Sequence, residues 1–254
     1  MPVIKRRRKN ELMISDTAIS FDFWNTLYAD GAENIRMDRR KALFKNIVTA
    51  YRSVPENEIN TAFDLSFEYF ITEWKDKMRT PTAAERISLM IHHLKMNLPE
   101  IKIQDLAEEF GGLIMEIPPL EITGVKRIVR MLAEEYPLGI ISDTGYISGR
   151  HIREFLEKEG ILDYFSSFMF SDEQDHSKPH FSVFKKTAEQ LNIPLNRLIH
   201  IGDLERTDVR GALNAGCQSI KFTGANHRST EKSQTMFVAH TYESVLTKLK
   251  ILIS

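Results

Sequence analysis

The sequence has few of the features that mark secreted or membrane-spanning proteins. Cysteine occurs once in 254 residues, at Cys217, which excludes an intrachain disulfide and fits a reducing compartment. No run approaches the roughly 18 to 20 apolar residues that a spanning helix needs. The basic segment at residues 5–9 has no hydrophobic stretch after it, unlike a secretory signal. We therefore expect a soluble, cytoplasmic protein that does not enter a membrane.

Neither sign of charge is in excess, because 34 lysines and arginines stand against 35 aspartates and glutamates. The formal net charge of −1 gives no bulk attraction to nucleic acid or to an anionic membrane. The basic segment at residues 5–9 is expected to be a solvated tail rather than a binding patch. The charge pattern thus predicts no nucleic-acid partner and leaves small-molecule ligands open.

Short apolar runs that end abruptly in a polar residue are the strongest structural signal in the chain. Such runs are typical of strands that a parallel sheet buries on both faces. Amphipathic helical spacings alternate with them, which predicts an α/β fold with a doubly wound parallel sheet. The expected strands are residues 18–21, 138–141, 168–170, 198–201 and 219–222, and the expected helices lie near 125–132, 152–160, 181–191 and 207–215.

Residues from about 33 to 118 break this alternation, because their apolar residues recur at helical spacing with no clear strand between them. We expect four helices there. An aromatic stripe on the second of them could line a pocket, but most such stripes are core, and we expect core here. The stripe consists of Phe63, Phe67, Phe70 and Trp74.

Two sequences of capping-box form are expected to begin helices in this segment. Ser53 precedes Glu56 by three residues, and Thr82 precedes Glu85 by the same distance. In a capping box, the first side chain accepts a backbone N–H and the second returns a hydrogen bond to the cap. Both pairs therefore predict a helix that starts between them.

Polar side chains stand where three of the expected strands end. In an open parallel sheet, ligands bind in the crevice beyond the carboxyl ends of the strands, where the strand order reverses. Asp22, Ser142 and Asp203 all occupy such ends. Three distant segments would thus bring two carboxylates and a hydroxyl to one place, which predicts a ligand site there. His200 lies inside an expected buried strand, and we expect a structural role for it.

Four motifs resemble, in order and spacing, those of the haloacid dehalogenase superfamily. They read FDFWNTL from Phe21, IISDTG from Ile140, SKP from Ser177 and GDLERTD from Gly202. The resemblance implies a hydrolase with a modified Rossmann-like core of residues 1–30 and 119–254. It also implies that residues 31–118 form an inserted all-helical cap that closes over the site and selects the substrate.

The resemblance assigns Asp22 as the nucleophile and Mg²⁺ as the cofactor. The implied ligands are Asp22, Asp203 and the backbone carbonyl of Trp24, with Asp208 orienting the metal site from behind. The chemistry fits, because a phosphoryl group repels an incoming carboxylate unless a cation neutralises both. Mg²⁺ is small, hard and octahedral, and it prefers oxygen ligands.

Phosphate binding is implied for the second and third motifs. Lys178 would neutralise the phosphoryl charge and Asp22. The Ser142 hydroxyl, together with the backbone N–H groups that follow it from Asp143 onward, would donate to the phosphoryl oxygens. The resemblance therefore implies a small phosphorylated metabolite as the substrate.

Position 24 departs from the phosphatase pattern, in which a second Asp protonates the leaving group and later activates water. Trp24 can do neither, and the loss of a general acid–base costs about 10²- to 10⁴-fold in rate. Three functions stay open: a phosphatase whose acid is unnecessary or supplied elsewhere, as by Asp143; a 2-haloacid dehalogenase, which carries an aromatic residue at this position; and a catalytically inactive binding or regulatory protein. The acidic residues of the fourth motif favour the first.

Overall fold

The computed structural model describes residues 15–226 and 232–253. The basic segment at residues 5–9, for which we expect a solvated tail, lies outside the described residues. Among the helices of the described ranges, none is long and apolar enough to cross a membrane. Cys217 is buried in the apolar core, where it acts as a small apolar side chain.

A six-stranded parallel sheet forms the centre of the fold, and its strand order is β5-β4-β1-β6-β7-β8. Its strands are β1 (Ala18–Phe21), β4 (Leu138–Ser142), β5 (Ser167–Phe170), β6 (Leu198–Gly202), β7 (Gln218–Phe222) and β8 (Val238–Ala239). Two short strands, β2 (Tyr28–Ala29) and β3 (Leu120–Glu121), pair antiparallel outside it. The doubly wound α/β prediction is confirmed, although β2, β3 and β8 were not expected.

Helices cover both faces of the sheet and fill the interval between β2 and β3. They are α1 (Glu33–Thr49), α2 (Glu56–Asp76), α3 (Ala83–His93), α4 (Glu100–Glu116), α5 (Val125–Ala133), α6 (Gly149–Lys158), α7 (Phe181–Gln190), α8 (Arg210–Ala215) and α9 (Tyr242–Ile253). A π-helical turn, Glu205–Val209, leads into α8. The left-handed Gly216, at φ +90°, ends α8.

Strand β1 shows how the two faces are built. Side chains alternate between the faces of a strand, and all four residues of β1 are buried. Ile19 and Phe21 pack in the cluster that includes α5, α6 and α9. Ala18 packs in the opposite cluster, with α7 and α8. The unbroken apolar run of this strand therefore reflects two cores that meet at one sheet.

The strand order places the ends of β4, β1 and β6 side by side. Phe21, the last residue of β1, lies opposite Ile140 of β4 and Ile201 of β6. Because all three strands run in the same direction, the residues that follow them converge at one edge of the sheet. This edge holds the candidate site.

Helices α1 to α4, which we call the helical insert, share a hydrophobic cluster of their own that includes Phe44, Phe63 and Phe110. Its helices occur where apolar spacing predicted them. Thr82 forms the expected capping box: its hydroxyl accepts from the Glu85 N–H at 3.2 Å, and Glu85 accepts from the Thr82 N–H at 2.7 Å.

The capping box expected at Ser53 is wrong. Helix α2 begins at Glu56, its N-cap is Pro55, and no side chain caps it. Proline disfavours a helical conformation in the residue before it, so Val54 is kept extended and Ser53 lies too far from the first turn to cap it.

The interpretation of the aromatic stripe as core is also wrong for most of its length. Phe63 is buried in the insert cluster, but Phe67 is 57% exposed, and Phe67, Phe70 and Trp74 line a cavity. The stripe extends along 21-residue α2 beyond the insert's own core, so its later residues face the sheet edge.

The insert is joined to the sheet part by close packing. Tyr146, from the loop after β4, is buried in the insert cluster, and its ring meets that of Phe110 edge to face at 5.3 Å between centroids. Gly111 of α4 lies against His151 of α6, since a Cβ on Gly111 would come within 2.2 Å of the imidazole Cε1. Glycine is required at this contact because no side chain fits.

We expect Gly111→Ala to destabilise the protein by about 1–3 kcal/mol, because the added methyl group overpacks a buried contact. The neighbouring Gly112 is the control: its Cβ would meet nothing within 4 Å, so Gly112→Ala should stabilise α4 by about 0.5–1 kcal/mol through helix propensity. Urea unfolding measures both changes. Equal effects of the two variants would contradict the close packing of α4 on α6.

Candidate active site

Three buried carboxylates meet at the carboxyl edge of the sheet. Asp22 follows β1, Asp203 follows β6, and Asp208 lies in the π-helical turn. Each offers an oxygen, and these oxygens all lie within 4.8 Å of one another. The main chain supports this arrangement, since the Asp22 N–H donates to the Ile201 carbonyl at 2.8 Å. The convergence of the β1 and β6 ends was predicted from the sequence.

Lys178 is the cation that lies among these carboxylates. Its ammonium is 2.9 Å from Asp22 Oδ1 and 2.6 Å from Asp208 Oδ1, and its side chain is 2% exposed. Burial alone would lower the pKa of Lys178, but Asp208, Asp22 and Asp143 together raise it above its usual range. Lys178 is therefore charged.

Asp208 is saturated with hydrogen-bond donors. Besides Lys178, its Oδ1 accepts from His200 Nε2 at 3.0 Å, and its Oδ2 accepts from the Leu204 N–H at 2.9 Å. Burial by itself would raise the pKa of Asp208, but Lys178 and His200 hold it well below its usual range. A carboxylate committed to these donors can orient Lys178 but has little capacity left for another ligand.

His200 links this network to the middle of the sheet. Its ring is fully buried, and burial lowers its pKa, so the imidazole is neutral. Because Nε2 donates to Asp208, Nδ1 accepts from the Ser20 hydroxyl at 2.9 Å. His200 lies inside the buried strand as expected, yet it contacts a site residue, which its position within an apolar run did not signal.

Asp22 and Asp203 are less well compensated. Burial raises the pKa of Asp22 to about 6 against the opposing effect of Lys178. Burial and the nearby Asp208 and Asp22 raise the pKa of Asp203 to about 8. The Asn226 amide donates to Asp203 Oδ2 at 2.6 Å. No motif singled out Asn226, which follows β7 in sequence and reaches the site only through the fold.

Strand β4 brings the second motif to the same edge. Ser142 ends the strand, and its hydroxyl lies 3.5 Å from the Asp143 carbonyl oxygen. The Asp143 carboxylate accepts from the Lys178 N–H at 2.9 Å and from Trp74 Nε1 at 2.7 Å. The Thr144 N–H donates to Ser171 Oγ at 2.8 Å. Asp143 thus fixes the Lys178 backbone and the insert, and the Thr144 N–H is already engaged.

Trp24 and Asn25 form the turn that follows Asp22. The Trp24 indole meets the Phe23 ring edge to face at 4.8 Å, and the Arg36 guanidinium lies over it at 5.6 Å. Asn25 has φ +54°, a left-handed conformation that Asn tolerates better than most residues. Asn25 can therefore occupy this turn without the strain that most other residues would suffer there.

The site opens into a cavity of about 420 Å³ between the sheet edge and the insert. This volume suits a small organic ligand. Asp22, Lys178 and Asp203 line its sheet side, and its insert side has aromatic and basic residues. The latter include Arg40, Phe67, Phe70, Trp74 and Arg86.

A buried lysine among acidic side chains, at the carboxyl edge of a parallel sheet and below a helical insert, is an arrangement that suits a hydrolase of α/β fold. The chain belongs to the haloacid dehalogenase-like hydrolase family, which it matches over residues 19–222. This confirms the resemblance that its four motifs indicated.

Similar proteins include phosphatases and a dehalogenase. The chain is 24% identical over 250 residues to 5-amino-6-(5-phospho-D-ribitylamino)uracil phosphatase YigB of Escherichia coli K12, covering 93% of this chain and 96% of that protein. It is 32% identical over 103 residues to glyceraldehyde 3-phosphate phosphatase of Pyrococcus furiosus, covering 40% and 42%. A crystal structure of 2-haloacid dehalogenase from Pseudomonas syringae superposes with a TM-score of 0.70 at 18% identity, covering 92% and 98%.

The raised pKa of Asp203 predicts how the metal-free protein responds to pH. Its folded-state pKa of about 8 exceeds the unfolded value of about 3.9, so the folded state holds a proton that the unfolded chain releases. With a chelator present, the free energy of unfolding should therefore fall as pH rises from about 4 to about 8. Asp203→Asn should remove several kcal/mol of this fall, because each pKa unit corresponds to about 1.4 kcal/mol.

Urea unfolding at several pH values in this range measures the effect. Asp163→Asn is the control, because Asp163 is exposed and distant from the site in the fold. An unchanged pH dependence in Asp203→Asn would mean that the Asp203 carboxyl is ionised throughout in the metal-free protein.

Proposed function

We propose that the protein is a Mg²⁺-dependent phosphatase that hydrolyses a small phosphorylated metabolite through an aspartyl-phosphate at Asp22. The observation that carries this proposal is the buried cluster of Asp22, Asp203 and Asp208 around Lys178. A halide displacement needs no such group of acids, whereas phosphoryl transfer needs cations on both the nucleophile and the phosphoryl group.

The charges of the site fit a divalent cation. Among the described residues, the buried carboxylates of Asp22, Asp203 and Asp208 and the half-buried carboxylate of Asp143 lie around the Lys178 ammonium. Burial, together with the neighbouring carboxylates, raises the pKa values of Asp22 and Asp203. Asp22, Asp203 and the Trp24 carbonyl would hold Mg²⁺, and Asp208 would orient Lys178. When bound, the ion would neutralise the nucleophile and polarise the phosphoryl group.

The residues of the chain divide the remaining work. Asp22 attacks phosphorus, and the bond from phosphorus to the leaving oxygen breaks. Lys178, whose side chain is buried, offsets the charge of Asp22 and of the phosphoryl oxygens, and such preorganised groups are most effective away from bulk water. Water then attacks the aspartyl-phosphate, which releases phosphate and regenerates Asp22.

Trp24 restricts the substrates for which this reaction is fast. An alkoxide leaving group needs a proton, and Trp24 cannot supply it. Asp143 is a poor substitute, since its two oxygens accept from the Lys178 N–H and from Trp74. Acyl phosphates need no acid, because a carboxylate leaves unprotonated. We therefore infer a preference for substrates with good leaving groups.

We also propose that the helical insert acts as a cap. In this division, residues 1–30 and 119–254 form the catalytic core and residues 31–118 form the cap. The insert contributes Phe70, Trp74 and Arg86 to the cavity, which supports a role in substrate choice. The phosphatase names of YigB and of the Pyrococcus furiosus relative support a small phosphorylated metabolite as the substrate.

A 2-haloacid dehalogenase is the second candidate. Trp24 favours it, because dehalogenases of this superfamily carry an aromatic residue there, and the fold superposes on one such enzyme. The acidic cluster argues against it. The two candidates differ in their products, halide or phosphate, and in their need for a metal.

A substrate panel distinguishes these candidates. The panel contains phosphate esters, acetyl phosphate and 2-haloacids, each with Mg²⁺ and with chelator. We expect phosphate release that requires Mg²⁺ and that falls at least about 10³-fold in Asp22→Asn, since the variant lacks the nucleophile. Halide release that persists with chelator would support the dehalogenase. Mg²⁺ binding without turnover of any compound would support a binding protein.

Replacing Trp24 with Asp tests the missing acid. The kcat/KM of Trp24→Asp for alkyl phosphates should rise by about tenfold or more, because the carboxyl group can protonate the alkoxide. The kcat/KM for acetyl phosphate should change much less. Trp24→Phe, which keeps a ring and adds no acid, is the matched control. Unchanged or lower values for both substrate types would show that Trp24 is more than a missing acid.

A further inference from the structure

The insert side of the cavity carries two arginines that the proposed reaction does not use. Arg40 of α1 and Arg86 of α3 line the same cavity as Asp22 and Lys178. Their relative exposures are 1% and 4%. A molecule that fills this cavity can contact the catalytic carboxylates and these guanidinium groups at the same time.

Arg40 and its neighbour Arg36 are compensated by acidic residues of the insert entrance. Arg40 Nη1 is 2.7 Å from Glu33 Oε1, and Arg36 Nε is 3.2 Å from Glu33 Oε2. Arg36 also pairs with Asp30. These two carboxylates therefore balance these two guanidinium groups.

Arg86 has no such counter-ion. Its Nε donates to Ser66 Oγ at 3.1 Å, and its guanidinium lies 3.6 Å from the centre of the Tyr146 ring and 4.9 Å from that of Phe70. Within the part of the chain that the structure describes, no carboxylate forms an ion pair with it and its two Nη nitrogens donate no hydrogen bond.

A buried guanidinium without a counter-ion is costly, and aromatic rings offset only part of that cost. Burial lowers the pKa of Arg86, and Arg40 lowers it further against the opposing effects of Tyr146 and Glu33. An arginine nevertheless does not lose its proton in a protein. Three guanidinium groups and two carboxylates leave one positive charge uncompensated at the insert side of the cavity. An anionic part of the ligand would compensate it.

The geometry of Arg86 selects among anions. Its Nε is occupied, so two Nη nitrogens remain, and a planar carboxylate can accept two parallel hydrogen bonds from such a group. The single uncompensated positive charge is balanced by one negative charge, such as that of a carboxylate. A phosphate dianion would place an excess of negative charge beside Glu33 and Asp30. A neutral planar group would leave the charge of Arg86 unbalanced.

We propose that the substrate is a phosphorylated carboxylic acid, whose carboxylate binds the Nη nitrogens of Arg86 while its phosphoryl group faces Asp22 and Lys178. The proposal rests on the proposed phosphatase function. Tyr146 and Phe70 hold the guanidinium plane, and Ser66 fixes its rotation. Arg86 is thus a residue that determines specificity.

Matched substrate pairs test the proposal with the full-length protein and Mg²⁺. Phosphoglycolate is compared with 2-hydroxyethyl phosphate, and 3-phosphoglycerate with glycerol 3-phosphate, because each pair differs only in a carboxylate replaced by a hydroxymethyl group. The acid should have the higher kcat/KM by about 10- to 100-fold, as expected for a charged hydrogen-bonded pair. Arg86→Gln should abolish this preference, mainly by raising KM for the acid.

Arg39→Gln is the control, because it removes a positive charge from an exposed residue of the same helix as Arg40. It should keep the preference for the acid. Arg86→Lys keeps the positive charge but lacks the two parallel N–H donors of the guanidinium group. The preference of this variant for the acid should therefore fall to an intermediate value. An equal loss of activity on both members of a pair in Arg86→Gln, or no preference in the wild type, would overturn the proposal.

Binding measurements separate this proposal from the phosphatase function. Calorimetric titration of Asp22→Asn with phosphoglycolate and with 2-hydroxyethyl phosphate requires no turnover. Tighter binding of the acid by about tenfold or more, lost in Asp22→Asn combined with Arg86→Gln, supports the carboxylate site even if no ester is hydrolysed. Equal affinity for the two compounds would refute the carboxylate site even in an active phosphatase.

Discussion

The ion pairs of Lys178 are the interaction on which the rest of the site depends. One buried ammonium contacts Asp22 and Asp208, and removing it would leave these two buried carboxylates without their counter-ion, which costs several kcal/mol. Its position is set by the main chain, because the Lys178 N–H donates to Asp143. Its charge is set by Asp208, which His200 and the Leu204 N–H hold ionised. The ends of β1, β4 and β6 converge on these ion pairs of Lys178.

The insert and the sheet edge are built as one structure around the cavity. Tyr146 leaves β4 and enters the insert cluster, where it packs under Arg86. Trp74 comes from the other direction: its indole donates to Asp143 and packs against the Arg206 guanidinium at 4.2 Å. Asp143 therefore receives one hydrogen bond from the insert and one from the Lys178 backbone. A movement of α2 would therefore shift Asp143, the residue that positions Lys178.

The sequence predicted what depends on local pattern and missed what depends on distant contacts. Apolar runs ending at Asp22, Ser142 and Asp203 predicted the strands and their common edge, because a buried strand needs such a run. Strand β8 has two residues, too few for a pattern. Arg86 and Asn226 are unremarkable in sequence, since Arg86 looks like a helix-surface residue and Asn226 like a loop residue. Their importance comes from a cavity and a carboxylate that other segments supply.

Trp24 affects the two halves of the proposed reaction differently. The absent carboxyl group would act as an acid when the ester bond breaks and as a base when water attacks the aspartyl-phosphate, as one group can in each direction of proton transfer. With a good leaving group, no acid is needed when the ester bond breaks, but a base is still needed when water attacks the aspartyl-phosphate. The value of kcat/KM reports the steps up to the first irreversible one, so the effect of the leaving group appears in kcat/KM. The value of kcat also includes the hydrolysis of the aspartyl-phosphate, which no carboxyl group assists. In the proposed reaction, an aspartyl-phosphate beside Trp24 would therefore be long-lived whichever substrate forms it.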